Sequence, residues 1–565
     1  MTDKKQPTAE DIKKAEEYFE KGTKALNKKE YGKALSFYKK SDEYDPDLNT
    51  RYNIGLAYHG LGDSDNAIIY YNEFLDSYPQ DKNALINKAL ILHEKGQYKE
   101  AVIFYDKVLA IFPDYVQAWG NKGVILAQQE QYKEAIRHFD EVIRITPEDK
   151  KAWNNKAWAL LELLNEKSKS SDKNEAQYTE VGICFLTAKK DIIDIFAKIN
   201  QTELCSSETS LIIAKAMLQG DRHFKNTVGK ASGSKLEAYK NIYVRSLQIV
   251  ALLHVDLEKY EKHVAHYTRR GVAEIFLAGQ SKFRLTTVTT ANDPSEGKTL
   301  LHYLGIEEDD TSSYQAFVGS FIFNPDCLNQ FRLYGKEDGR EATGVSITVS
   351  DGFFSAVAAI NKGLQLPDAI SKEEEQKEQA KESLYRCIYI DPHTDRVVSV
   401  GHKENYVFYR EDIDIKDETI QEYKKYKAEI KKEVESSLQE LKAEIAKLIN
   451  AQRTRRDKKR AQQILSGLLI HLRYLVKHVA FREEQECRII KVEKVDSKND
   501  KVKIDAGSSR MYCETIQLRN DKECYITDIH FGPKATGKEL FEDILKRLDL
   551  KKKISLHQSD HPFFS

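Results

Sequence analysis

Near its C-terminal end the chain reads FREEQECRII, in which Glu484, Glu486 and Arg488 alternate. In a strand, residues two apart share a face, so two carboxylates and a guanidinium point the same way. Three charges on one strand face are costly to bury unless they pair or bind something polar. Two earlier segments carry chemistry of the same kind. HYTRRGVAEIFLAGQSKFRLTTVTTANDPSEG, residues 266 to 297, runs from a strand-like HYT through a short helix and a strand to an Asn-Asp-Pro turn with Glu296 just beyond. FIFNPDCLNQFRLYGKEDGREATGVSITV clusters Asp326, Arg332 and Tyr334 before Gly335 and the strand GVSITV. Three readings follow. Glu484, Glu486 and Arg488 with Arg332 and Asp293 form one buried ionic network that fixes strand register, or the carboxylates are catalytic. In the third, Asp293, Glu296, Glu484 and Glu486 offer oxygen ligands to a divalent cation in a hydrolase or nuclease, though no His-rich or Asp-x-Asp cluster accompanies them.

The order of these segments resembles the domain of unknown function 2971 family over roughly residues 263 to 548. The residues that carry the likeness are Tyr267, Asn292-Asp293-Pro294-x-Glu296, Asp326-x-Leu328, Phe331-Arg332-x-Tyr334-Gly335, Lys477, Phe481 and Glu484-x-Glu486-x-Arg488, with a closing IHFGPKATGKELFEDIL. Phe331 stands where that family has Trp. The layout is also similar to that of ADP-ribosyltransferases. That likeness implies NAD as the candidate cofactor, Glu486 or Glu484 as the carboxylate that meets the ribose 2′-hydroxyl, and His266 or Arg269 on the phosphates or ribose. It further implies Tyr267 and Tyr334 against the nicotinamide and Arg332 on a phosphate, with Asn292, Asp293 and Arg488 completing the cofactor-binding set.

The elements that position these residues belong to an α+β domain expected over 263–565. FRLTTVTT, AFVGSFIF, TGVSITVS, LYRCIYID, RVVSVG, CRIIKVEKV and CYITDIHFG are β-branched or aromatic runs bounded by turn residues. A short charged helical tract is expected at Lys372 to Lys381. A helical hairpin or coiled-coil insertion is expected from Asp417 to about Val479, with apolar residues at Ile420, Tyr423, Tyr426, Ile430, Val434 and Leu438. Inside it QRTRRDKKR, Gln452 to Arg460, is either a solvated turn or a patch for nucleic acid or an acidic partner.

The N-terminal half is organised differently. Pro46, Pro79, Pro113 and Pro147 recur every 33 or 34 residues. Small residues Gly22, Gly55, Ala89 and Gly123 mark one helix of each unit, and Ala34, Ala67, Ala101 and Ala135 the other. Tyr31, Tyr98 and Tyr132 fill the gaps between units. Over residues 16 to 160 this resembles the tetratricopeptide repeat, which implies an all-α superhelical solenoid that holds a protein or peptide. Expected boundaries are a flexible 1–10, repeats over 11–164, and capping and linker helices over 165–262. On the groove side Asn53, Asn87, Asn121 and Asn155 recur once per unit, followed by Lys88, Lys122 and Lys156. Such amides can bond an extended partner's backbone without reading its sequence. Phe19, Thr23 and Asn83 stand where a chaperone-carboxylate clamp wants Lys, Asn and Lys.

Composition bounds the rest. Lys plus Arg is 88 against 89 Asp plus Glu, so no global field draws the chain to nucleic acid or to an anionic membrane. The seven cysteines are scattered without a CxxC pair, and no apolar run suggests a signal peptide or membrane span, so the expected setting is cytoplasmic. The whole reads as an effector or defence-type protein with a nucleotide-acting C-terminal domain, or as an adaptor with two binding modules.

Overall fold

The computed structural model describes residues 7–167, 175–188, 192–193, 195–196, 199, 207–257, 260–287, 295–307, 313–334, 341–354, 382–411, 415–496, 498–505, 510–520, 523–550 and 553–560. Its described residues fall into two compact units, the first of residues up to 177 and the second of nearly all the rest.

The first unit is a run of antiparallel helices: α1 (Ala9–Asn27), α2 (Tyr31–Tyr44), α3 (Leu48–Gly60), α4 (Ser64–Ser77), α5 (Lys82–Glu94), α6 (Tyr98–Ile111), α7 (Val116–Gln128), α8 (Tyr132–Ile145) and α9 (Lys150–Lys167). Asp carboxylates start several of them. Asp47, Asp63, Asp81 and Asp149 accept from the N–H groups of Thr50, Asn66, Ala84 and Ala152 at 2.8 to 3.2 Å. Three of the helix pairs are locked by a glycine under one aromatic ring. A Cβ at Gly22 would lie 2.7 Å from Tyr38, at Gly55 3.0 Å from Tyr71, and at Gly123 2.7 Å from Phe139. Ala34, Ala67, Ala101 and Ala135 are fully buried on the facing helices. The indoles of Trp119 and Trp153 donate to the carbonyls of Pro113 and Pro147, each at 2.7 Å, tying the repeat-closing proline to the following helix.

In the second unit the helices Ser207–Met217, Arg222–Val228 and Gly233–Leu252 share one core with a helical hairpin, Asp417–Asn450 and Arg455–Leu468. Phe224, Tyr243, Leu247, Val434, Leu438, Leu441, Ile445 and Leu465 are among its members. The residues read as capping helices thus contribute Phe196, Ala214 and Leu218 to that core. Among the described residues no helix is long and apolar enough to cross a membrane.

The strands are β1 (His263–Thr268), β2 (Arg284–Thr287), β3 (Tyr314–Ile322), β4 (Val345–Ser350), β5 (Leu384–Arg386), β6 (Ile388–Asp391), β7 (Arg396–Val400), β8 (Val476–His478), β9 (Glu486–Lys494), β10 (Lys503–Ile504), β11 (Met511–Glu514), β12 (Ile526–Phe531) and β13 (Ser555–Gln558). Among the described residues, β3 pairs with β9 from Tyr314↔Lys494 to Ile322↔Glu486. Its other edge meets β2 and then β1, after which the sheet continues through β4, β12 and β13. β4 has five of six residues buried, as expected of a strand flanked on both sides. A smaller sheet has the order β7-β6-β8.

Two expectations are corrected. LYRCIYID is two strands. β5 pairs with β9, whereas β6 enters the small sheet, and the break falls at Cys387, whose N–H donates to the Glu486 carbonyl at 3.0 Å. The helical tract stops before Val479, because Val476–His478 pairs in parallel with β6. An apolar run of that length suits a helix or a strand equally in sequence. The tract at 372–381 lies outside the described residues.

The repeat lock gives a paired test. Gly123→Ala should lower repeat-unit stability by about 1–3 kcal/mol through overpacking against Phe139. Gly32→Ala, with nothing within 4 Å, should leave it unchanged or raise it, as read by chemical denaturation.

Candidate functional site

β9 is the organising element. Ile322 and Ser320 of β3 pair with Glu486 and Arg488, so these two charges share one face of the sheet. Both are buried, and each meets the other. Arg488 Nε donates to Glu486 Oε1 at 2.6 Å and Nη2 to Oε2 at 3.1 Å. Lys477, on β8, donates to Glu486 Oε2 at 2.6 Å and also pairs with Glu484. The remaining guanidinium nitrogen, Nη1, donates to the Tyr474 carbonyl at 2.7 Å and pairs with Glu296. Glu296 is presented by a turn at Gly297, which has φ +74 and whose carbonyl accepts from Arg473.

The electrostatics follow from burial opposed by pairing. For Glu486 desolvation acts against ionisation most strongly, yet Arg488 and Lys477 together outweigh it and hold the carboxyl well below its ordinary range. Burial dominates at Glu484 and at Glu296 and pushes both up. Lys477 is driven up despite its desolvation, by Glu486 and Glu484. Every charge in this group therefore has an opposite charge in contact.

Glu484 is not on the strand. It ends a 3₁₀ turn, Val479–Glu484, and Gln485 in the left-handed region (φ 46) separates it from β9. The alternation read from sequence is thus broken between Glu484 and Glu486. From that turn Glu484 reaches a cleft of about 350 Å³ lined also by Asn329, Arg332, Glu341, Phe481 and Glu483. Arg332, on the helix Leu328–Tyr334, is half exposed and pairs with Glu341 at 3.3 Å. The structure so brings Arg332 and Glu484 together at one cleft, but Arg332 is not bonded to Glu486 or Arg488 in the network expected for it.

Of the other candidates, His266 and Tyr267 are engaged elsewhere. His266 and Tyr267 are consecutive on β1 and face opposite sides of the sheet. His266 donates to the Ser320 carbonyl at 3.0 Å and packs edge-on to Phe283, and burial lowers its pKa. Tyr267 lies on the Glu486 face, by the Ala265↔Ile322 register, but its hydroxyl donates to Asn324 O at 2.9 Å and accepts from Cys327 N at 2.8 Å. Its ring meets the buried Phe331 edge-on, with ring centres 4.9 Å apart, so Phe331 is its packing partner. Arg269 is exposed just before the helix Arg270–Leu277. Tyr334 is the last residue of its helix. Asn292 and Asp293 lie outside the described residues.

A second charged group escaped sequence reading. Arg386 of β5 grips Glu261 with two nitrogens, one at 2.6 Å, and donates to the Gly401 carbonyl at 3.0 Å. Tyr423 of the long helix also bonds Glu261. All three side chains are buried. The available signal was Arg386 itself, a charge inside the apolar run LYRCIYI that must find a partner once buried.

In the repeat unit, Asn53 donates to the carbonyl of Asn49 at 3.1 Å, and Asn87 donates to the Tyr52 hydroxyl oxygen at 2.9 Å, joining consecutive repeats. Asn121 and Asn155 are buried. Lys122 and Lys156 pair with Asp106 and Asp140 at 2.5 and 2.9 Å, while Lys88 lies over the Phe104 ring at 4.2 Å. The pairing acid at the equivalent position before Lys88 is replaced by Asn72.

Comparison with known proteins places the repeats. Tetratricopeptide repeat family models match residues 48–81 and 81–148. Solved structures similar to this chain include MamA (residues 41 to end) from Desulfovibrio magneticus RS-1, 22% identical, covering 30% of this chain and 93% of that one with a TM-score of 0.27. A MamA RS-1 double mutant is 22% identical over 32% of this chain and 98% of its own, with a TM-score of 0.28. YrrB, described as a TPR protein with an unusual peptide-binding site, is 18% identical over 30% of this chain and 88% of its own, with a TM-score of 0.26. No curated protein matches the chain. The N-terminal half carries tetratricopeptide repeats, and that assignment rests on the family models.

The network on β9 gives a stability test. Glu486→Gln removes the carboxylate that Lys477 and Arg488 share, leaving each buried cation with one partner, Glu484 or Glu296, and should cost about 3 kcal/mol in urea unfolding. Because the folded-state pKa of Glu486 lies below its ordinary value near 4.5, its contribution is present above that pH and is lost as pH falls further. The variant should therefore show a flatter loss of stability below pH 4.5 than the parent chain.

Proposed function

We propose that this chain is an adaptor. Its repeat arm holds an extended segment of a partner protein, and the α+β unit is a second module whose central charges build the fold. The observation that carries this reading is the state of Glu486. It is buried, and both of its oxygens are bonded by Lys477 and Arg488. A carboxylate meant for a ribose hydroxyl needs a free oxygen and a route of approach. The separation of His266 from Glu486 across the sheet supports the same reading. In the arm, Asn53 and Asn87, both only partly buried, supply the backbone-reading groups, and Lys122 and Lys156 further along are held in place by Asp106 and Asp140.

A second reading keeps the nucleotide-acting domain and moves its chemistry to Glu484. What favours it is the cleft, where a carboxyl raised by burial sits with Arg332 beside Phe481.

Selection of peptides from a random display library against the full chain separates the two. The adaptor reading expects a bound peptide whose affinity falls about tenfold or more in Asn53→Ala with Asn87→Ala, at two lost hydrogen bonds of about 1 kcal/mol each. Consumption of NAD or another nucleotide by the purified chain, abolished in Glu484→Gln, would overturn it in favour of the second reading.

A further inference from the structure

We propose that the tip of the helical hairpin binds the phosphate backbone of a nucleic-acid duplex. The tip joins Asp417–Asn450 to Arg455–Leu468 and carries Arg453, Arg455, Arg456, Lys458, Lys459 and Arg460, all exposed. None of the six makes an ion pair among the described residues, although the chain as a whole is nearly neutral, with a formal charge of −1. Asp457 is the single acid between them, and its N–H and carboxylate are engaged by Thr454 in capping the helix.

The arrangement works against local stability. Arg455 and Arg456 occupy the first turn of a helix, where the dipole favours anions. Arg455 with Lys459, and Arg456 with Arg460, are like-charge pairs four residues apart, which repel. A sequence that sets its cations against both rules carries a local conflict, and such conflicts fall at functional sites. The two pairs form parallel rows about 6 Å long on one helix face, from four residues at 1.5 Å rise. Exposed Arg222 and Lys225 lie on the helix Arg222–Val228, which packs beside the same helix, with His223 bonded to the Gly467 carbonyl at 3.0 Å.

The surroundings select the partner. No large apolar side chain is exposed anywhere on the hairpin from 417 to 468. A protein interface needs a desolvated apolar or aromatic centre, and an inserting membrane anchor needs an apolar face. Single-strand recognition needs aromatic platforms, and Gln452 to Arg460 contains none. Backbone binding to a duplex needs only cations, with Arg preferred for its fit to phosphate, and four of the six are Arg.

Fluorescence anisotropy with a labelled DNA duplex of about 20 base pairs, and with the matching RNA duplex, tests this on the full chain. At about 50 mM salt the parent chain should bind at least one duplex without sequence preference. Arg455→Glu/Arg456→Glu/Lys459→Glu/Arg460→Glu should weaken binding more than tenfold. The slope of log affinity against log salt should become shallower by about 0.9 for each DNA phosphate that the variant no longer neutralises. Because the reversals are exposed and place acids at a helix N-terminus, the variant's melting temperature should be equal or higher, and the milder Arg455→Gln/Arg456→Gln should shift affinity in the same direction. Failure of the parent chain to bind either duplex at low salt, undiminished binding by the fourfold variant, or binding only to phosphatidylserine vesicles or to a poly-glutamate peptide would overturn the proposal.

Discussion

Desolvation of charge at β9 is the constraint around which the second unit is arranged. A buried carboxylate or guanidinium without a partner costs several kcal/mol, more than a typical domain can absorb twice. Each neighbouring element supplies a missing half. The turn at Gly297 delivers Glu296, β8 delivers Lys477, and the last residue of the 3₁₀ turn delivers Glu484. On the other side of β9, where Arg386 pairs in register with Cys487, the linker before β1 delivers Glu261 and the long helix delivers Tyr423. Segments more than a hundred residues apart are thus held by charge pairing, which depends on geometry far more than apolar contact does. This makes the strand a register pin for the unit.

The repeat unit solves its packing by opposite means. Its pairs interlock through volume, with Gly or Ala under Tyr or Phe, and its charges stay at the surface or pair across adjacent helices. Neighbouring repeats need only each other, so the array tolerates local substitution that β9 would not.

Much of this was legible in the chain. The repeat period, the small residues and the closing prolines specify the helical array because each repeat must bury the same face. Seven β-rich runs mark β2 to β7, β9 and β12, whereas the short strands β8, β10, β11 and β13 lie outside them. The charged stretch from Glu484 to Arg488 also declared itself. What failed was geometry beyond one element. His266 and Tyr267 were assigned to one site, although adjacent strand residues point to opposite faces. Glu484 was placed on the strand because a left-handed Gln485 leaves no mark in composition. The pairing of Arg386 with Glu261 joins residues 125 apart, and nothing local encodes which of many glutamates a buried arginine will meet.

The indole clamps in the array have a practical consequence. All three tryptophans of the chain, Trp119, Trp153 and Trp158, lie in α7 and α9 of the repeat unit. Two of them bond the proline carbonyls that close the preceding repeats, and the third is buried. Indole emission excited at the red edge of the absorption band therefore reports on the late repeats alone. The 30 tyrosines are spread over both units and give the whole-chain signal. The molecule carries its own optical label for one half, so the order in which its two units lose structure can be read without attaching a dye.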